Sequence, residues 1–172
     1  MNFPGARLLA RVVFALVAVA AVVVAMVGCS SSESSGNTAD SAKVGGCLDG
    51  IKGATVDVQA GSVDCSSDKA VYKIAQTADK KGACSTDYTE AGVAGGSAFL
   101  CLVPNFKQGS CYSENPASGF KPVACGAAEA TFRVVKRVDG EADELLCGQD
   151  ADSFRLIAAA PKATYCLAKP KA

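Results

Sequence analysis

Nine cysteines stand in this chain of 172 residues, and eight of them form two sets of four: Cys47, Cys65, Cys84 and Cys101, then Cys111, Cys125, Cys147 and Cys166. The steps between them are 18, 19 and 17 in the first set and 14, 22 and 19 in the second. The residues around them repeat as well. "KVGGC" (43–47) aligns with "KQGSC" (107–111), and "VDCSSDKAVYKIAQTAD" (63–79) aligns without a gap on "VACGAAEATFRVVKRVD" (123–139). "FLCL" (99–102) matches "TYCL" (164–167). The chain is therefore a tandem duplication of a unit of about 60 residues.

A unit of that length buries only ~60 % of its unfolded surface and is marginal by itself. Two bridges per unit, each contributing ~2–4 kcal/mol, offset the deficit. Four cysteines in one repeat allow 3 pairings. Local geometry selects among them. In "GSCYSENPASGFKPVAC" a turn cluster, Asn115 to Gly119, separates two strand-like runs. A hairpin there sets Cys111 opposite Cys125, where cross-strand Cβ atoms lie ~4.5–5.5 Å apart. The same reading folds "DGIKGATVDVQAG" between Cys47 and Cys65 and leaves Cys84 for Cys101 and Cys147 for Cys166. Zinc is the competing use of cysteine. It is disfavoured by the absence of CxxC and His and by cysteine steps of 10 to 22 residues.

Strand patterns dominate the rest. In "KAVYKIAQ", Tyr72 and Ile74 face one way and Val71 and Lys73 the other; in "TFRVVKRV", Phe132 and Val134 point inward and Arg133 outward. "SAFLCLV" and "ATYCLA" read as closing strands, and "SFRLIAA" as another. "GEADELLCGQDADSF" supplies one or two helical turns with Leu145 and Leu146 buried. The expected fold class is mainly β, or α+β: two small, disulfide-braced antiparallel units in tandem after an N-terminal signal helix.

The ninth cysteine, Cys29, ends an apolar run. Arg7 and Arg11 precede 17 uncharged residues, Val12 to Gly28, and the serine-rich "SSSESSGNTADSA" (30–42) follows. This is the layout of an export signal. A retained membrane helix is the alternative, since 17 residues lie at the short end of what spans ~30 Å of hydrocarbon. "MVGC" resembles the lipobox of bacterial lipoprotein signals, with Met26 where Leu is usual. That resemblance implies cleavage between Gly28 and Cys29 and lipidation of Cys29. The serine segment reads as a tether with a reach of ~20 Å. The expected organisation is a signal peptide at 1–28, lipidated Cys29 and tether at 29–42, and repeats at 43–104 and 105–172.

Composition narrows the chemistry. After Cys29 the chain carries 15 basic and 17 acidic residues without a basic cluster, so nucleic acid is not an expected partner. There is no His, the commonest general base and metal ligand. Serines 30–32, 34 and 35 lack a base at a recognisable spacing. "DGEADE" (139–144) lacks the Gly and closing Glu of an EF-hand loop and reads as a solvated turn. Tyr88, Tyr112 and Tyr165 either line an exposed face or cap the core. No cofactor or metal is expected, and no catalytic residue.

The pattern "GGC … VDCSSDKAVYKI … C … FLCLVP", followed by a second cysteine-bearing copy, resembles the LppU-type lipoproteins of actinobacteria over residues 43–170. "GGC" and "GSC" stand where that family has a Gly-Asp-Cys-like opening. The resemblance implies a cell-envelope lipoprotein of uncharacterised role and brings no catalytic residues. Two functions remain in view. The first is a non-catalytic binding or scaffolding lipoprotein on the outer face of the cytoplasmic membrane, held by its lipid and meeting an envelope protein, peptide or glycan. The second is a disulfide-rich protease inhibitor or other small-ligand-binding envelope protein, with "ENPASGF" (114–120) as an exposed bait loop.

Overall fold

The computed structural model describes residues 42–171, so the signal segment, Gly28, Cys29 and the tether through residue 41 lie outside the described residues. No helix among the described residues is long and apolar enough to cross a membrane. The fold is mainly β, in two sheets that follow the duplication. The first sheet contains β1 (Cys47–Leu48), β2 (Thr55–Val56), β3 (Ser62–Val63), β4 (Tyr72–Ala78), β5 (Thr89–Val93) and β6 (Phe99–Pro104), in the order β2-β5-β6-β4-β1-β3. The second contains β7 (Cys111–Asn115), β8 (Gly119–Val123), β9 (Phe132–Asp139), β10 (Ser153–Ile157) and β11 (Ala163–Ala168), in the order β10-β11-β9-β7-β8.

The repeats agree down to hydrogen bonds. Gly45 N–H donates to the Ile74 carbonyl at 2.8 Å, and Gly109 N–H to the Val134 carbonyl at 2.7 Å. Both central strand pairs carry a bulge at the same place: β4 slips register between Ile74 and Gln76 against β6, and β9 passes from Val134 to Lys136 against β11. An extra residue there bends the strand and raises its twist, and a twisted sheet curls more readily.

Chain reach shows how far the first sheet curls. β2 and β3 lie five strand steps apart, ~24 Å if the sheet were flat. Val56 reaches Ser62 through the single helical turn Val58–Gly61, where each residue rises only ~1.5 Å. The two edges must therefore bend toward each other. The second sheet curls too, because Arg155 on β10 meets Glu114 on β7 at 2.9 Å and lies over the Phe120 ring on β8 at 4.8 Å.

The bridges are Cys47–Cys65, Cys84–Cys101, Cys111–Cys125 and Cys147–Cys166, the pairs read from local geometry. Their register differs from a simple cross-strand pair. Cys47 faces Val63 and Cys111 faces Val123, so in both repeats the partner cysteine lies two residues beyond, past the strand end. The Cα atoms are nevertheless 5.1 Å apart in both, within bridging range.

Both sheets contribute to one apolar cluster. At its centre is Phe106, which is fully buried although it belongs to the segment joining the repeats. Its ring lies within 4.6–5.2 Å of the rings of Tyr112, Phe120, Phe132 and Tyr165. Beside it Asn105, also buried, donates through Nδ2 to the Ala70 carbonyl at 3.1 Å and accepts from Arg137 at 3.1 Å. The connection between the repeats is thus part of the interior.

Tyr112 and Tyr165, open in the sequence to either an exposed face or the core, are each 1 % exposed and take the core. Tyr112 takes the inward place that Leu48 holds in the first repeat, and its hydroxyl accepts the Lys107 N–H at 2.8 Å. The Tyr165 hydroxyl donates to the Pro104 carbonyl at 2.6 Å, so both rings are buried with their polar ends bonded. Leu145, expected inside, is 83 % exposed, and Leu146 is only partly buried. The segment Glu144–Asp150 is 3₁₀ rather than α and breaks at Gly148 (φ 63°), so its residues do not present one long apolar face to the sheet. Finally, residues 49–61 do not repeat the compact β7–β8 hairpin. They leave β1, supply β2 to the far edge and return through the Val58–Gly61 turn.

Candidate functional site: a groove between the repeats

Where the two copies match, they build the same sheet; where they differ, they enclose a groove. The first repeat has the longer segment between its first two cysteines, a separation of 18 against 14. That segment winds past the tip of the β7–β8 hairpin. Between them lies a groove of about 600 Å³, with Ile51, Val56, Phe120 and Pro122 as its apolar lining. Asp49, Asp57, Lys52 and Lys121 contribute charge.

Local chemistry holds each wall. The Asp57 carboxylate caps the short helical turn, accepting the Gln59 and Ala60 N–H groups at 3.1 and 3.0 Å. Asp49 N–H donates to the Gly61 carbonyl at 2.9 Å and ties the start of the segment to its end. Opposite, Asn115 accepts the Ala117 N–H through its side chain at 2.8 Å, and Gly119 takes φ 70° to close the hairpin. Phe120 N–H then donates to the Tyr72 hydroxyl at 3.0 Å, a buried bond across the repeats. Burial raises the Tyr72 hydroxyl above its ordinary pKa, partly offset by the hydrogen bond from Phe120 N–H.

The groove has the dimensions and the mixed lining of a pocket. Its size lies in the usual range for ligand pockets, which pair an apolar lining with a few placed polar groups. Ser118 lines it, and with no His in the chain nothing of that kind can activate the hydroxyl. One carboxylate, Asp57, is already committed to capping.

The other sequence candidates lie elsewhere. Cys29 and serines 30–32, 34 and 35 are outside the described residues. Tyr88 is partly buried and donates from its hydroxyl to the Ala160 carbonyl at 2.7 Å. In "DGEADE", Asp139 pairs with Arg137 at 2.9 Å and Asp143 caps Leu145 N–H at 2.9 Å. "ENPASGF" is docked at its base rather than free: Phe120 is buried, while Pro116 and Ala117 are exposed at the tip. Ile51, Lys52 and Asp57 were not singled out from the sequence. The signal for them was the excess of four residues in the first cysteine step, 18 minus 14.

A second cleft, about 620 Å³, is lined by Lys73, Asn105, Arg137, Asp139, Lys162 and Tyr165 among others. Arg137 is spent within it on Asp139, Asn105 and the Phe106 carbonyl, and its guanidinium lies 5.7 Å from the Tyr165 ring. That constellation fastens the second repeat to the segment that joins the two. Comparison with protein-family models, with curated proteins and with solved structures gives no match for this chain.

Proposed function

We propose that this protein is a non-catalytic cell-envelope lipoprotein, anchored through Cys29 to the outer face of the cytoplasmic membrane, whose folded part presents a binding surface. The observation that carries the binding role is the groove of about 600 Å³ at the place where the repeats diverge. A duplicated unit needs no insertion to fold, since the second copy forms its sheet without one. The insertion instead adds an apolar recess with both charge signs at its border. That combination suits a peptide or small amphipathic ligand with an apolar body and polar ends. A saccharide is less well served, because Phe120 turns most of its ring into the core. Four bridges favour an oxidising compartment, in keeping with export. Two lipid chains on Cys29 would give a stable anchor where one would not.

The test joins both halves of the proposal. Cys29→Ala is expected to release the protein from membranes while all four bridges still form, read by fractionation and mass spectrometry. A photo-cross-linker at Lys52 or Lys121 is expected to capture the same species in intact cells, and one at Lys80, outside the groove, to miss it. Retention of the Cys29→Ala protein after signal cleavage refutes the anchor; equal capture from all three positions refutes the groove.

A further inference from the structure

The second cleft, of about 620 Å³, takes its walls from both repeats. The first repeat contributes Lys73 on β4 with Val103 and Pro104 on β6. The second contributes Ile157 on β10, Pro161 and Lys162 in the turn before β11, and Tyr165 on β11. Several of these residues mark where the second copy departs from the first. Aligned on the duplication, Arg137, Lys162 and Tyr165 stand at the places of Thr77, Ser97 and Leu100. The first repeat therefore carries neither cation at those places.

The charge of the cleft is one-sided. Its charged lining residues are Lys73, Arg137, Lys162 and Asp139. Arg137 Nε donates to both Asp139 oxygens, at 2.9 and 3.1 Å, so those two charges cancel. Lys73 and Lys162 form no ion pair among the described residues, which leaves a surplus of positive charge facing the cleft. The cross-strand neighbours of Lys73, Cys47 and Val103, are uncharged. Two carboxylates stand close by in the chain without lining the cleft: Asp87 accepts the Ala159 N–H at 2.9 Å, and Glu141 follows Gly140 on an exposed stretch. The chain after Cys29 carries 17 acidic residues against 15 basic ones, so this recess opposes the sign of the whole. A concave site lined by one sign of charge concentrates counter-ions.

The walls are fixed in advance. The Tyr165 hydroxyl is spent on the Pro104 carbonyl at 2.6 Å, so Tyr165 offers the cleft its ring alone. The turn at 158–162 is tied to the first repeat at two points, by Asp87 at Ala159 and by the Tyr88 hydroxyl, which donates to the Ala160 carbonyl at 2.7 Å. A preformed site loses less free energy on binding.

We propose that this cleft binds a small organic anion. Its apolar body lies against Val103, Ile157 and the Tyr165 ring, and its negative head meets Lys73 and Lys162. Two uncompensated ammonium groups favour a doubly charged head over a singly charged one, and lysine serves phosphate as a point charge. The site is separate from the groove, with which it shares no lining residue.

The experiment titrates the full chain, in detergent solution at low salt, with ligands that share one ring: benzyl phosphate, benzoate, benzyl alcohol and benzylammonium. Benzyl phosphate is expected to bind best and benzoate about tenfold more weakly, with no binding of the alcohol or the cation over the same range. Benzyl phosphate should shift the amide resonances of Gly140 and Lys162, and added salt should weaken it. Lys73→Gln and Lys162→Gln should each cost about tenfold in affinity, and the double variant should not bind. Lys52→Gln with Lys121→Gln, in the groove, should leave the affinity unchanged. Dihexanoyl phosphatidic acid in competition separates the sources: displacement of benzyl phosphate assigns a lipid headgroup, and no displacement a soluble anion. The proposal is overturned by absence of benzyl phosphate binding or by equal affinity for benzyl alcohol. It is equally overturned by binding that survives the Lys73→Gln, Lys162→Gln double variant, or that is lost in the groove variant instead.

Discussion

Gly119 shows how much a single residue contributes to joining the repeats. Its φ of 70° is in the left-handed region, and a Cβ there would run into the Tyr72 hydroxyl and come within 3.1 Å of the Ile51 side chain. Gly53 has a similar φ of 64°, but a Cβ there would meet nothing within 4 Å. The two positions separate backbone strain from steric exclusion. Gly53→Ala is expected to cost about 1 kcal/mol, the conformational penalty alone. Gly119→Ala should cost about 2–4 kcal/mol, since the hairpin tip must also move off Tyr72 and open the groove. Urea denaturation of the two variants measures the difference; equal losses would mean that the tip is not seated on Tyr72. The glycine is visible in the sequence as a turn signal. Its contact with Tyr72, 47 positions earlier, is not.

Among elements, the 3₁₀ segment depends most on its bridge. Its residues 144–150 contribute no buried side chain, so apolar packing does little to hold it. Thr164 helps, donating to the Glu141 carbonyl at 2.9 Å and accepting the Asp143 N–H at 3.0 Å; Lys136 donates to the Leu146 carbonyl at 2.7 Å, and Cys147–Cys166 adds the covalent tie. Replacing both cysteines with alanine is expected to lower stability by about 3 kcal/mol, the chain-entropy value for a loop of this size. Hydrogen exchange should quicken in 141–150 and leave β1–β6 as protected as before. A uniform increase over the molecule would show that this bridge supports the whole core. The strands themselves were readable from alternation because each sheet has one inward face. The exposure of Leu145 is not legible in the sequence, because two adjacent leucines carry no periodicity.

For the whole molecule, tyrosine hydroxyls fasten one repeat to the other. Tyr72 accepts from Phe120, and Tyr165 donates to Pro104. Burial pushes the Tyr165 hydroxyl up to about 12 and also raises Tyr72 and Tyr112. A folded-state pKa above the unfolded value of ~10 means that the native state holds its proton more tightly. The stability so gained is complete below pH ~10 and is lost as pH rises from there through about 12. For Tyr165 alone the loss is on the order of 2–3 kcal/mol. Since the chain has no His, little titrates near neutrality, and stability should be flat from pH ~6 to ~9 before an alkaline fall. Denaturation followed at several pH values checks this, with one transition expected for both repeats because they share a core. A Tyr165→Phe variant should flatten the alkaline fall; an unchanged pH profile would remove that hydroxyl from the account.

The sequence by itself determined the duplication, the β character and the pairing of the eight cysteines. All three are local or repeated signals: alternation along a strand, turn residues between strands, and the same residues met twice. Residues 49–61 read in the sequence as the same hairpin that joins Cys111 to Cys125, and only the fold shows their path to the far edge of the first sheet. The tertiary structure decided what the copies do to each other. Phe106 reads as a loop residue because its partners lie on four other segments, yet it is the centre of the aromatic cluster. Tyr112 and Tyr165 read equally as surface or core until the bonds from Lys107 and to Pro104 satisfy their hydroxyls inside. Periodicity registers the face a residue belongs to, while burial of a polar side chain depends on a partner brought from a distance by the curl of the sheets.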